Sequence, residues 1–320
     1  MGDVTGVVAA LVLLAAVVIA FRRRLRHRRG PAPLPAVSPL LSRTHASVAG
    51  RTRQLDLSTA RPSLRPPEPR LNAPVTLVGA HYNAVFHGTS SDGRLVVRAA
   101  TLRGHAHNHE NLPGQDVVGT TWNAQRGSVF AAVADGIGSR PDSGAAAHHL
   151  VIQVIERATC LGPHDDPRQV IDRSAAATRH YLGLEELDGA STLLVAEVSC
   201  GPTAARASVW GIGDSEAWFL IDGHWSPLHQ ELSPAGDSAT RCIPDHQDAH
   251  VNAITVPGTA VLVLATDGFA RALGGHNSPL AKRLVDAWRE PPGPTDFMAQ
   301  VDFTHPYFND DRSVVAVWIR

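Results

Sequence analysis

Mixed α and β structure built on antiparallel sheets is the architecture this 320-residue sequence predicts. Three observations carry that expectation. Seven short aliphatic runs bounded by Gly, Asp or polar residues read as strands: 93–104, 127–136, 190–200, 205–213, 215–223, 259–268 and 311–320. Two long helical patterns come early, after which strands follow one another across turns such as IDGHW. Strict alternation of strand and helix is missing, which argues against a doubly wound nucleotide-binding sheet. With 43% hydrophobic and 18% charged residues, the chain is too apolar to be wholly disordered.

The elements are justified from the N-terminus onward. Residues 4–21 (VTGVVAALVLLAAVVIAF) carry no charge and run directly into RRRLRHRR. As a helix they rise about 27 Å, the thickness of a thin hydrocarbon layer, so a transmembrane anchor is expected. A cleaved leader would place its positive charges before the apolar stretch, whereas here they follow it. Arginine resists translocation, so the expected orientation is N-terminus outside and the remainder cytoplasmic. Residues 22–90 read as a basic, Pro-rich linker, with nine prolines between Gly30 and Pro74 and no apolar period. Charge divides the same way. Residues 22–70 hold twelve Arg against Asp56 and Glu68, and residues 71–320 hold seventeen Lys and Arg against twenty-seven acids. The basic segment is Pro-rich and beside the expected membrane, without interleaved aromatics, so no nucleic-acid partner is expected.

Residues 91–320 hold the periodic segments and read as one domain. SGAAAHHLVIQVIERAT (143–159) carries a wide apolar stripe through Ala146, Leu150, Ile152, Val154 and Ile155, and helical patterns also fall at 166–187 and 278–290. Cys160, Cys200 and Cys242 have no CxxC spacing, which excludes a cysteine zinc module and argues against a disulfide framework.

The strongest chemical signal is the placement of aspartates. Asp135-Gly136 ends one strand, Asp267-Gly268 ends another, Asp310 and Asp311 precede the last, and Gln115-Asp116 follows the first in a loop. Strand ends that meet would gather carboxylates into one cleft, where they repel unless cations sit among them. Hard oxygen donors without thiolate suit magnesium or manganese. Strand-Asp-Gly is also an ordinary turn, so the repetition carries the signal rather than any single instance.

These residues resemble a family. GQDVV, VFAAVADGIGS, DGASTLLVAEV, WGIGDSEAWFL, VLVLATDGF and NDDRSVVAVWI are similar in order and spacing to the motifs of type 2C (PPM) metal-dependent serine/threonine protein phosphatases over about residues 95–320. The likeness is greatest to a divergent bacterial branch whose first motif reads G-x-x-H…Q-D. It implies an α+β fold, an α-β-β-α sandwich of two packed antiparallel sheets flanked by helices. It also implies hydrolysis of phosphoserine or phosphothreonine on proteins by metal-activated water, with no phospho-enzyme. By the same resemblance Asp135 would bridge two Mn or Mg ions, Gly136 would offer its carbonyl to one, and Asp267 and Asp310 would complete the second. Asp116 and Gln115 would stand behind the ligands, and Asp188 would serve a weaker third ion. Asp214, within GDS, would form a turn.

The departures concern phosphate binding. Relatives place an arginine in the first motif, where this chain has His107 nearest; His107 is therefore the candidate phosphate-binding residue. His105, His107 and His109 would share one face of an extended chain. Residues 228–257 correspond to a variable flap. The rival reading is a membrane-tethered pseudophosphatase acting as a binding or regulatory module, favoured by the missing arginine and opposed by the intact aspartates. The expected partners are a phosphoprotein substrate and the membrane, and the sequence names no partner kinase.

Overall fold

The computed structural model describes residues 77–80, 83–90, 92–229, 240–245, 249–256, 258–274, 278–303 and 308–320. Two six-stranded antiparallel sheets form the domain. The first has the order β1 (Leu77–Ala80), β4 (Val117–Asn123), β5 (Ser128–Ala134), β6 (Leu193–Cys200), β7 (Ala205–Ile212), β10 (His250–Val256). The second runs β2 (Ala84–Thr89), β3 (Leu95–Leu102), β12 (Arg312–Ile319), β11 (Ala260–Ala265), β8 (Glu216–Ile221), β9 (His224–His229). All seven strands expected from the aliphatic runs are present. The linker expected over 22–90 is shorter than that, because β1 pairs with β4 and β2 pairs with β3 within it. Both are short edge strands beside a Pro-rich stretch, which hides them in a composition scan.

Strand alternation builds the layers. In β3, Leu95, Val97 and Ala99 enter the core between the sheets, while Val96, Ala100 and Leu102 join the layer under the outer helices. In β5, Val129, Ala131 and Val133 face the inter-sheet core, and Phe130, Ala132 and Ala134 face the helices on the other side. Central strands are thus buried on both faces, and for that reason they read as continuous aliphatic runs.

Helices α2 (Ser143–Thr159) and α3 (Arg168–Leu184) cover the first sheet. Their stripes of Leu150, Val154, Ile155, Val170 and Ile171 are almost fully buried. The second sheet is covered by α4 (Asp267–Leu273), α5 (Pro279–Ala287) and α6 (Pro294–Val301). Ser278 caps α5 by accepting the Ala281 N–H at 2.9 Å, with Pro279 fitting the first turn. Trp288 anchors this layer with no exposure, its ring 5.3 Å from that of Phe297 and 5.9 Å from that of Trp318. The expected sandwich is therefore present. Among the described residues no helix is long and apolar enough to cross a membrane, and the anchor expected at 4–21 lies outside them.

Candidate functional site

Register brings the aspartates together. The last pair of β4 and β5 is Val117 with Ala134, so one step further sets Asp116 opposite Asp135 at one end of the first sheet. In the second sheet Ala265 pairs with Val314, so Thr266 and Asp267 leave β11 beside the start of β12, where Asp310 and Asp311 lie. The sheets are joined there: the Thr266 hydroxyl donates to Asp116 Oδ2 at 2.6 Å and accepts from the Ser313 N–H at 2.9 Å.

Electrostatics identifies which carboxylates share the cleft. Burial pushes the Asp135 carboxyl well above the usual carboxylate range, and the charges of Asp116, Asp267, Asp310 and Asp214 add to the rise. Burial likewise raises Asp116, 3% exposed, with Asp311, Asp267 and Asp310 adding and the Thr266 hydrogen bond opposing. Asp267 is pushed up to about 6 by burial, against the lowering pull of Arg271, with Asp214 and Asp310 adding to the rise. The Asp135 carboxyl acts the other way on Asp267, lowering it. Asp310 is exposed. Asp188 is not among the carboxylates acting most strongly on Asp135. It sits in an exposed turn where its N–H donates to Asp142 Oδ2 at 2.9 Å and its carbonyl accepts from the Asp142 N–H at 3.0 Å.

Backbone detail around Asp135 bears on Gly136. The Asp135 carbonyl accepts from the Thr192 N–H at 2.8 Å and from the Ser191 hydroxyl at 3.0 Å. Ladder bonds thus flank Gly136 and leave its own carbonyl out of them. A Cβ on Gly136 would fall 2.9 Å from both Gln115 Cβ and the Ser143 carbonyl carbon, so only glycine allows this approach. Gln115 accordingly packs behind the site, and its N–H donates to Asp311 Oδ2 at 2.6 Å.

Asp311 is the aspartate that the sequence placed before the last strand without assigning it a role. Its carboxylate, 3% exposed, accepts from the Gly104 N–H at 2.6 Å, the Gln115 N–H at 2.6 Å and His107 Nδ1 at 2.9 Å. One side chain thus clamps three points of the connection between β3 and β4, which lies 196–207 residues away in sequence. The extended chain expected for His105, His107 and His109 is instead a short helix, α1 (His105–Glu110). At about 100° per residue His107 turns away from the other two; it is half-buried against Asp311 while they are exposed. Nδ1 of the candidate phosphate-binding residue is therefore committed to Asp311.

Two further residues were legible only in three dimensions. Asp214, expected as a turn-former, bears on both Asp135 and Asp267. Arg271, one turn into α4, places Nη2 2.6 Å from Asp267 Oδ2 and 3.8 Å from Asp214 Oδ2. The i,i+4 spacing from Asp267 was the available signal, had the helix been foreseen.

Among the described residues no three His, Cys, Asp or Glu side chains form a ready-made ligand cage. The donor chemistry nevertheless fits hard divalent cations. Asp135, Asp267 and Asp116 are oxygen donors that burial and neighbouring carboxylates each hold above the usual carboxylate range, no thiolate is among them, and Gly136 has a carbonyl outside the ladder.

A family model described as Protein phosphatase 2C matches residues 103–302, more than half of the chain. No curated protein matches the sequence. Among solved structures, the Mycobacterium tuberculosis serine/threonine phosphatase PstP/Ppp is 16% identical with a TM-score of 0.53, the alignment covering 71% of this chain and 99% of that one. The catalytic domain of PstP in complex with 2 manganese ions is 18% identical, TM-score 0.52, covering 70% and 97%. PppA, a key regulatory component of T6SS in Pseudomonas aeruginosa, is 16% identical, TM-score 0.51, covering 70% and 97%. These structures share the fold; the family follows from the sequence match. The chain belongs to the protein phosphatase 2C family.

Proposed function

We propose that this chain hydrolyses phosphoserine and phosphothreonine on proteins, using Mn or Mg ions held by Asp135, Asp267 and Asp310 with the Gly136 carbonyl. One observation carries the reading: Asp116, Asp135 and Asp267 converge from the ends of both sheets, buried enough that each is pushed toward its neutral form. A fold that gathers carboxylates at such expense has a use for cations there. Two divalent cations, as in the PstP complex, would supply an acidified water and offset charge developing on the phosphoryl oxygens. The chain's own residues do the positioning. Ser191 and Thr192 fix the Asp135 backbone, Thr266 holds Asp116, and Asp311 holds the first-motif loop. Asp188 remains the proposed contact for a weaker third ion.

The pseudophosphatase reading is favoured by two observations, the commitment of His107 to Asp311 and the pairing of Arg271 with Asp267. Hydrolysis of a phosphothreonine peptide by the purified full-length protein, with manganese against EDTA, separates the two. Manganese-dependent release of phosphate supports the enzyme; none, from a folded protein, supports the binding module. Nucleotide or sugar-phosphate hydrolysis exceeding that of the peptide would contradict the protein substrate.

We also propose that residues 4–21 anchor the protein with its catalytic domain in the cytoplasm. Protease added to inverted vesicles should then digest the domain and protease added to whole cells should spare it; the opposite pattern would overturn the orientation.

A further inference from the structure

Arg271 is a fixed positive charge among the carboxylates that the proposed hydrolysis does not use. Asp267 opens α4 and Arg271 follows four residues later, so the helix carries the guanidinium back over its own first turn. There Nη2 reaches Asp267 Oδ2 at 2.6 Å and stands 3.8 Å from Asp214 Oδ2. The arginine thus spans two carboxylates that both press on Asp135. Its side chain is 60% exposed, whereas that of Asp267 is 12% exposed. The acid is held by the fold, but the arginine is held by little besides the ion pair, and it can leave without disturbing the core.

We propose that Arg271 is a built-in counter-ion that competes with a divalent cation for Asp267 and Asp214. The proposal rests on the reading that this cluster takes divalent cations, and it adds how their binding is opposed. A hard dication ligated by Asp267 would lie about 2.1 Å from its oxygen. A guanidinium nitrogen 2.6 Å from that same oxygen would then face the ion across only a few ångströms, and the like charges repel strongly in a half-buried cleft. An ion on Oδ1 instead would still face the guanidinium charge across the same carboxylate, so each cation weakens the hold of the other. Arginine stays charged at every physiological pH, so release depends on metal concentration rather than on protonation. The cluster is partly neutralised when metal is scarce, and the site containing Asp267 fills at a higher metal concentration than the carboxylates alone would require.

Manganese titration of the purified full-length protein, followed by calorimetry and by the electron paramagnetic resonance of free Mn(II), tests this in wild type, R271Q and R271K. The weaker manganese site should tighten at least about tenfold in R271Q and stay within about threefold of wild type in R271K, which keeps the charge. In EDTA, R271Q should melt at lower temperature than wild type near neutral pH, and saturating manganese should remove that difference. Equal affinity in wild type and R271Q, with manganese-dependent hydrolysis intact, would overturn the counter-ion alone. Manganese binding without hydrolysis would overturn the phosphatase reading while the affinity ratio still decided the role of Arg271. No binding by any of the three proteins would overturn the counter-ion together with the metal centre.

Discussion

Replacing Asp267 with Asn should change the pH dependence of stability in a way that can be worked out beforehand. In the folded protein its carboxyl is pushed from the ordinary 3.8 up to about 6, chiefly by burial. A folded-state pKa raised above the unfolded value means the folded state keeps a proton that the unfolded chain has already released. Stability is then lost as pH rises from about 4 to about 6 and is flat above that window. The loss is at most about 3 kcal/mol, since each tenfold change in acidity corresponds to about 1.4 kcal/mol. Asparagine keeps the shape and carries no charge. In EDTA, Asp267→Asn should therefore match wild type below pH 4 apart from a constant offset. It should gain on wild type across pH 4–6, then hold a constant advantage. Urea unfolding at half-unit pH steps, followed by fluorescence of the buried Trp288 and its neighbours, measures the difference between the two proteins. Manganese should reverse the order, because a ligand that binds only the folded state at a hundred times its Kd adds about 2.7 kcal/mol. A wild-type-minus-variant difference that does not change between pH 4 and 7 would refute the burial that raises the Asp267 carboxyl.

The remaining predictions concern neighbouring positions. Asp135→Asn should lower turnover of a phosphopeptide with manganese by at least about 100-fold, while its circular dichroism and its melting in EDTA stay at or above wild type; retained activity would remove Asp135 from the centre. Gly136→Ala should cost about 1–3 kcal/mol, because its Cβ would sit 2.9 Å from Gln115 Cβ and the Ser143 backbone; chemical denaturation measures it, and an unchanged midpoint would contradict the close approach. His107→Ala should destabilise by about 1–2 kcal/mol through the lost donor to Asp311. If the clamp is its whole role, the KM for phosphopeptide stays within about twofold of wild type, whereas a direct phosphate contact raises KM without changing kcat.

Much of the fold was legible because of where strands sit in their sheets. β3, β5, β6, β11 and β12 have neighbours on both sides and are buried on both faces, so their sequences are unbroken aliphatic runs. β1, β2, β9 and β10 are the four edges. An edge strand pairs on one side only, which is why β9 tolerates Pro227 and β10 tolerates Asn252, and why neither reads as a strand. Helix α4 was hidden because Asp267-Gly268 looks like a turn, although Phe269 and Leu273 sit one turn apart in the core. In the site, Asp116, Asp135, Asp267 and Asp310 were readable as acids at strand ends. The roles of Asp311, Asp214 and Arg271 were not readable, because they depend on partners up to 207 residues away or on a helix not foreseen.

Asp310 and Asp311 show why the cluster can exist at all. Adjacent residues entering a strand point to opposite sides, so one carboxylate is exposed while the other is buried against the first-motif loop. The Asp310 charge adds to the rise in Asp116, Asp135 and Asp267 and so works against the fold. Asp311 works for it, since each hydrogen bond it accepts ties a different segment to the start of β12: Gly104 at the end of β3, His107 in α1, and Gln115 before β4. Thr266 makes the complementary tie from β11 to Asp116. The open ends of both sheets are thus closed by hydrogen bonds that need no cation, and Arg271 offsets part of the remaining repulsion from outside. A site held in this way can keep its acids in position before any cation arrives. Binding then uses its energy to displace a side chain rather than to order a backbone, the arrangement expected of a centre that must take up and release ions without unfolding.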